Sequence, residues 1–184
     1  MLITKLPGTT IDARLERGCA DRILTPMFCG GGLVLSQVCQ ITGLEGYIIQ
    51  NWIKRKYLTP PDHHKKYSRG QLCRILNFNV LKDCFTMDQA EALLEYAGVS
   101  ARADGSFDDS GLYSRFADAL AAFHTDGAID PARLESAVTE AAAGRGDASS
   151  RRRLAETLKV MVTAFESQEI INKAHEFYNR LDFK

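Results

Sequence analysis

Residues 33–61 read LVLSQVCQITGLEGYIIQNWIKRKYLTPP, and their spacing predicts two helices joined by a tight turn. Leu35, Val38, Cys39 and Ile41 recur at helical intervals, and Gly43 supplies the positive φ that ends a helix. The second helix is expected from about Leu44 to Lys56. At 100° per residue Leu44, Ile48 and Trp52 stack in one arc, widened by Ile49 and Ile53. Tyr47, Gln50 and Lys54, flanked by Asn51, occupy the opposite side. Such a helix docks on a core and turns a polar, aromatic and basic back outward.

Working outward, Leu58-Thr59-Pro60-Pro61 cannot continue a helix, because proline lacks the N–H donor and restricts the residue before it. The basic stretch from Asp62 to Tyr67 reads as a turn. Ser68 with Gln71, and Thr86 with Gln89, have the spacing of capping boxes. They open helices expected over about Arg69–Asp83, burying Leu72, Ile75, Leu76 and Val80, and over the segment that holds Ala90, Leu93, Leu94 and Ala97. Towards the N-terminus, residues 1–30 show little periodicity and end in Gly30-Gly31-Gly32, so they read as an arm or a short helix plus a flexible joint.

The C-terminal half has a different texture. A polar loop, ARADGSFDDSG, precedes a helix expected over about Leu112–Phe123. Asp130-Pro131 is an N-cap and first-turn pair for a helix reaching about Ala143. A last helix, about Arg151 to Leu181, is expected to bury Leu154, Leu158, Met161, Val162 and Phe165, then Ile171, Ala174, Phe177, Tyr178 and Leu181. Those two apolar runs are out of heptad phase, which argues against a coiled coil.

The chain's net charge is zero, yet the charge is segregated. Residues 43–82 carry eight basic against two acidic residues, a net of +6. From Asp83 onward eleven basic face eighteen acidic residues, a net of −7. A basic segment beside an outward-facing amide pair fits contact with a polyanion. Gln50 and Asn51 can pair with adenine, and Tyr47 can stack or touch a thymine methyl. Lys54, Arg55, Lys65, Lys66, Tyr67 and Arg69 complete the expected DNA-contact set, the cations as phosphate anchors.

The stretches ITGLEGYIIQNWIKRKYLTPP, KKYSRGQLCRILNFNVLKD and EALLEYAG resemble a bacterial family catalogued as a domain of unknown function. Its members are similar in their N-terminal half to MerR regulators. The resemblance implies an all-α protein, with a MerR-like winged helix-turn-helix over residues 31–100 and a C-terminal helical module over 101–184. The recognition helix would lie at about 44–56 and the basic wing at about 59–67. It implies a transcriptional regulator that binds double-stranded DNA, and the apolar face of the last helix adds a homodimer through the C-terminal helices. The alternative reading is a protein–protein interaction adaptor that uses the same fold without DNA.

Other chemistry finds little footing. No phosphate loop, nucleophile elbow or carboxylate pair is present, so an enzyme is not expected. Five cysteines without a C-x-x-C pair read as reduced thiols, and His63-His64 lacks metal-ligand spacing, so neither metal nor cofactor is expected. Asp104, Asp108 and Asp109 read as loop residues and a helix cap, and His124 and His175 as structural. The start lacks a signal-peptide core and no apolar run reaches membrane-spanning length, which together point to the cytoplasm.

Overall fold

The computed structural model describes residues 4–99, 108–123, 130–144 and 146–181. Asp104, His124, Arg145 and most of the expected polar loop lie outside the described residues. The described chain is mostly helical, as expected. A two-residue hairpin, β1 (Thr4–Lys5) with β2 (Asp12–Ala13), leads into α1 (Cys19–Leu24) and a 3₁₀ turn (Thr25–Phe28). There follow α2 (Leu35–Thr42), α3 (Gly46–Lys54), α4 (Arg69–Leu81) and α5 (Met87–Tyr96), then α6 (Asp109–Phe123), α7 (Pro131–Ala142) and α8 (Ala148–Asn179).

The expected stops and starts fall where local chemistry put them. Gly43 ends α2 at φ 71°. Ser68 and Thr86 each accept from the backbone N–H three residues on, and Gln71 and Gln89 reciprocate from their side chains. Asp130 caps α7, with Pro131 in its first turn.

α4 is the axis of the core. Nine of its thirteen residues are buried, from Leu72 to Leu81. Phe78 receives the Trp52 ring edge-on at 5.7 Å and the Tyr57 ring at 6.3 Å, while the Arg74 guanidinium lies 5.0 Å from its centroid. On its other side α4 packs on α6 and α8, where Phe116 meets Phe165. One buried cluster runs from Leu6 to Phe165, and residues from both 31–100 and 101–184 contribute to it.

The N-terminal segment holds the short helix that its sequence allowed, and it packs on the core rather than standing off as an arm. Leu6, Cys19, Ala20 and Leu24 are completely buried. The Asn79 amide donates to the carbonyls of both Gly8 and Thr42, and the Tyr113 hydroxyl donates to the Pro7 carbonyl. These bonds stitch residues 6–24 onto α4 and α6.

The last helix is corrected at its far end. Leu154, Leu158, Met161, Val162 and Phe165 are buried as expected. Every residue from Ile170 to Leu181 is exposed, including Ile171, Ala174, Phe177, Tyr178 and Leu181. The core ends at Phe165, and the helix runs on past it.

Candidate nucleic-acid interface

α3 has the two-sided character its spacing predicts. Ile49 and Trp52 are buried, as is Leu44 just ahead of the helix, and Ile48 and Ile53 pack against the same core. Tyr47, Gln50, Asn51, Lys54 and Arg55 are all exposed, Tyr47 at 70%. Successive 100° steps put Tyr47, Gln50, Asn51 and Lys54 within one arc of about 100°. The acidic C-terminal half leaves Gln50 and Lys54 open to solvent.

α2 sets the angle of this face. The left-handed Gly43 turns the chain, Thr42 Oγ1 accepts from the Leu44 N–H at 3.2 Å, and Gly46 lets α3 approach Leu35, whose Cδ2 is 3.4 Å from where a Cβ would stand. α3 stops at Lys54. Lys56 then takes φ 68°, a conformation that residues with a Cβ adopt at a cost.

The expected wing is a tight, acid-pinned turn. Asp62 Oδ1 accepts from the N–H groups of His64 (2.9 Å) and Lys66 (2.7 Å), and the Lys65 N–H donates to the Asp62 carbonyl. These backbone donors, that of Lys66 foremost, hold the Asp62 carboxyl below its usual range. His63, His64 and Lys65 are exposed on the turn. A single antiparallel bridge, Leu33 with Tyr67, ties it back to the chain before α2.

The structure divides the expected contact residues into three groups. Tyr47, Gln50, Asn51, Lys54 and Lys65 stand free on the surface. Arg55, Lys66 and Arg69 are basic and near the face, but each has an internal partner. Arg55 donates to the Tyr57 hydroxyl at 2.8 Å and lies over its ring, Lys66 Nζ donates to the Gly30 carbonyl at 3.0 Å, and Arg69 pairs with Asp21 and Thr25. Tyr67 is a correction. It is 3% exposed, because residues in extended chain alternate sides and the bridge to Leu33 turns its ring into the core.

Lys56, counted in the basic segment but not among the expected contacts, is exposed one step beyond Arg55. Its glycine-like conformation cannot be read from helical spacing.

A cleft of about 810 Å³ lies between the N-terminal segment, α6 and α7. Its charged groups already have partners: Arg17 pairs with Glu140, Asp118 accepts from the Gly18 N–H, and Arg115 donates to the Ala141 and Ala143 carbonyls. Among the described residues no cluster of three metal-ligating side chains occurs, and no helix is long and apolar enough to cross a membrane.

Residues 33–116 match the model of a domain of unknown function (DUF1836). The match begins at the Leu33 bridge and ends within α6, so it contains the whole α2–α3 face and turn. It covers less than half of the chain. An uncharacterized protein of Bacillus subtilis (strain 168), YkrK, is 32% identical over 95 residues, which is 49% of this chain and 41% of that protein. The chain thus matches under half the length of that relative. No solved structure matches.

Proposed function

We propose that the chain binds double-stranded DNA, with α3 entering the major groove in the manner of a MerR-like transcriptional regulator. One observation carries the reading. The amide pair Gln50 and Asn51, the Tyr47 ring and the Lys54 ammonium share a single exposed face of a helix whose other side is anchored in the core. The anchored side fixes the helix's orientation, and the free side has donors and acceptors for base edges. Lys54 and Lys65 anchor phosphates at the edges, joined by Lys56 and by the partly engaged Arg55, Lys66 and Arg69.

The Asp62 turn takes the place of a wing, and Lys65 at its tip is positioned for the backbone beside the groove. A homodimer through the C-terminal helices belongs to the same reading, since two-fold dimers set two such helices on successive turns of the duplex.

Selection of bound sequences from a random duplex pool tests the proposal. The wild-type chain is expected to enrich a short motif containing adenine. Gln50→Ala with Asn51→Ala is expected to retain weak binding and lose the motif, because phosphate anchoring survives without base contacts. If no sequence is enriched and duplex DNA is not retained, the proposal is overturned and the adaptor reading is the one left to test.

A further inference from the structure

Arg55 closes α3 and follows Asn51 by four residues, so it stands one turn beyond Asn51 on the same side of the helix. Its side chain folds back over Tyr57. The guanidinium carbon lies 4.9 Å from the Tyr57 ring centroid, and Nη2 donates to the Tyr57 hydroxyl at 2.8 Å. That hydroxyl donates in turn to Oδ1 of Asp88, in the first turn of α5. One oxygen therefore links a cation at the end of α3 to a carboxylate at the start of α5.

The middle member of this chain is pinned from several sides. The Tyr57 ring is buried against Phe78, its N–H donates to the Trp52 carbonyl at 3.0 Å, and its own carbonyl accepts from Arg74 Nε at 2.7 Å. Arg55 and Asp88 are both exposed. The guanidinium thus takes its order from Tyr57. An exposed arginine without such a hold has many rotamers to give up when it binds, which weakens the contact it makes.

We infer that Tyr57 and Asp88 are positioning residues, which hold Arg55 as a pre-oriented anchor for a backbone phosphate next to the base edge that Asn51 reaches. The inference rests on the DNA reading above and deepens it. Arg55 is tethered through a neutral hydroxyl, so its charge is oriented without being neutralised, whereas Arg69 is ion-paired with Asp21. The hydroxyl takes one of the guanidinium's five N–H groups, which leaves enough for both oxygens of a phosphate. Reach favours the phosphate too. A side chain folded over its own segment does not extend to the floor of a groove, and the backbone at the groove's wall is what it meets.

Anisotropy of a labelled duplex of mixed sequence, titrated with the full chain, tests this as a double-mutant cycle. Arg55→Ala is expected to weaken binding and to flatten the dependence of log affinity on log salt by about one. Tyr57→Phe keeps the ring and every charge and loses only the hydroxyl. It is expected to weaken binding about three- to tenfold with the salt slope unchanged, and to have no effect once Arg55 is alanine. A purely structural role for the hydroxyl would lower affinity equally in both backgrounds.

The Asp88 variants read the same link with Tyr57 intact. Asp88→Asn and Asp88→Ala remove the same charge and differ in the acceptor, so the Asn chain is expected to bind more tightly than the Ala chain while Arg55 is present. A wild-type chain that does not retain the duplex overturns the DNA reading and this inference with it. A wild-type chain that does retain it, with Tyr57→Phe binding equally well or doing equal harm without Arg55, overturns the inference alone. Equal affinities of the two Asp88 variants do the same for the part given to Asp88.

Discussion

The Arg74 guanidinium and the Asp109 carboxylate face each other across 3.5 Å, with their side chains 3% and 11% exposed, and so join α4 to the first turn of α6. Arg74 also donates to the Tyr57 carbonyl at 2.7 Å and stands 3.5 Å from Glu91 of α5. One buried cation therefore touches the segment after α3, the helix before the central loop and the helix after it.

Burial lifts the Asp109 carboxyl to about 6, against the opposing pull of Arg74. An acid whose folded value exceeds its unfolded value of about 3.9 is held best when protonated. Its contribution is fully present below about pH 4 and is lost as pH rises through about 6, a span of about 3 kcal/mol for this shift. Asp109→Asn removes that titration. The stability of the Asn variant relative to wild type, from urea unfolding, is expected to climb between about pH 4 and 6.5. Parallel profiles for the two proteins would contradict the burial of this carboxyl.

Breaking the cluster from its other partner has a different signature. Arg74→Met leaves Glu91 and Asp109 without their cation, and removing one member of a buried pair costs about 3–5 kcal/mol. The urea midpoint should fall accordingly, and Arg74→Met with Asp109→Asn should recover part of the loss. A double variant no better than the single one would place the damage elsewhere.

Gly8 and Gly18 separate two effects that glycines usually combine. Both have positive φ, 70° and 75°. A Cβ on Gly18 meets nothing within 4 Å, whereas one on Gly8 would lie 2.9 Å from the Leu76 carbonyl oxygen. Gly18→Ala should therefore cost about 1 kcal/mol from backbone strain alone. Gly8→Ala should cost distinctly more, and equal thermal midpoints would contradict the close docking of the N-terminal segment on α4.

Lys56 presents the reverse case, a residue with a Cβ at φ 68°. Lys56→Gly is expected to stabilise the fold by about 1 kcal/mol while weakening contact with phosphates. Thermal unfolding and duplex binding measured on the one variant should move in opposite directions.

What could be read in the sequence was local in origin. The Ser68–Gln71 and Thr86–Gln89 boxes, the Gly43 stop and the two faces of α3 each depend on residues within a few positions of one another, and each is present. The N-terminal segment was illegible because its strands of two residues and helix of six are too short for periodicity to register. Its order comes from distant partners such as Asn79 and Tyr113.

Asp109 read as part of a polar loop for the same reason, since Arg74 lies 35 positions away. Asp108 does cap α6, accepting from the Gly111 N–H. In α8 helical spacing correctly gave an apolar face, but spacing does not say where the core beneath that face ends. Tyr67, expected among the DNA contacts, is turned inward by one bridge to Leu33, a partner 34 positions away that local spacing does not reveal.

The salt dependence of duplex affinity tests the central claim most directly. Fluorescence anisotropy of a labelled duplex, titrated with the chain over a series of salt concentrations, should give a steep linear fall of log affinity with log salt. Each phosphate-contacting cation removed should reduce that slope by about one. Lys54→Glu with Lys65→Glu is therefore expected to weaken binding at low salt and flatten the slope by about two. Wild-type affinity that ignores salt, or a slope unchanged by the two reversals, would mean that the α3 face does not hold DNA.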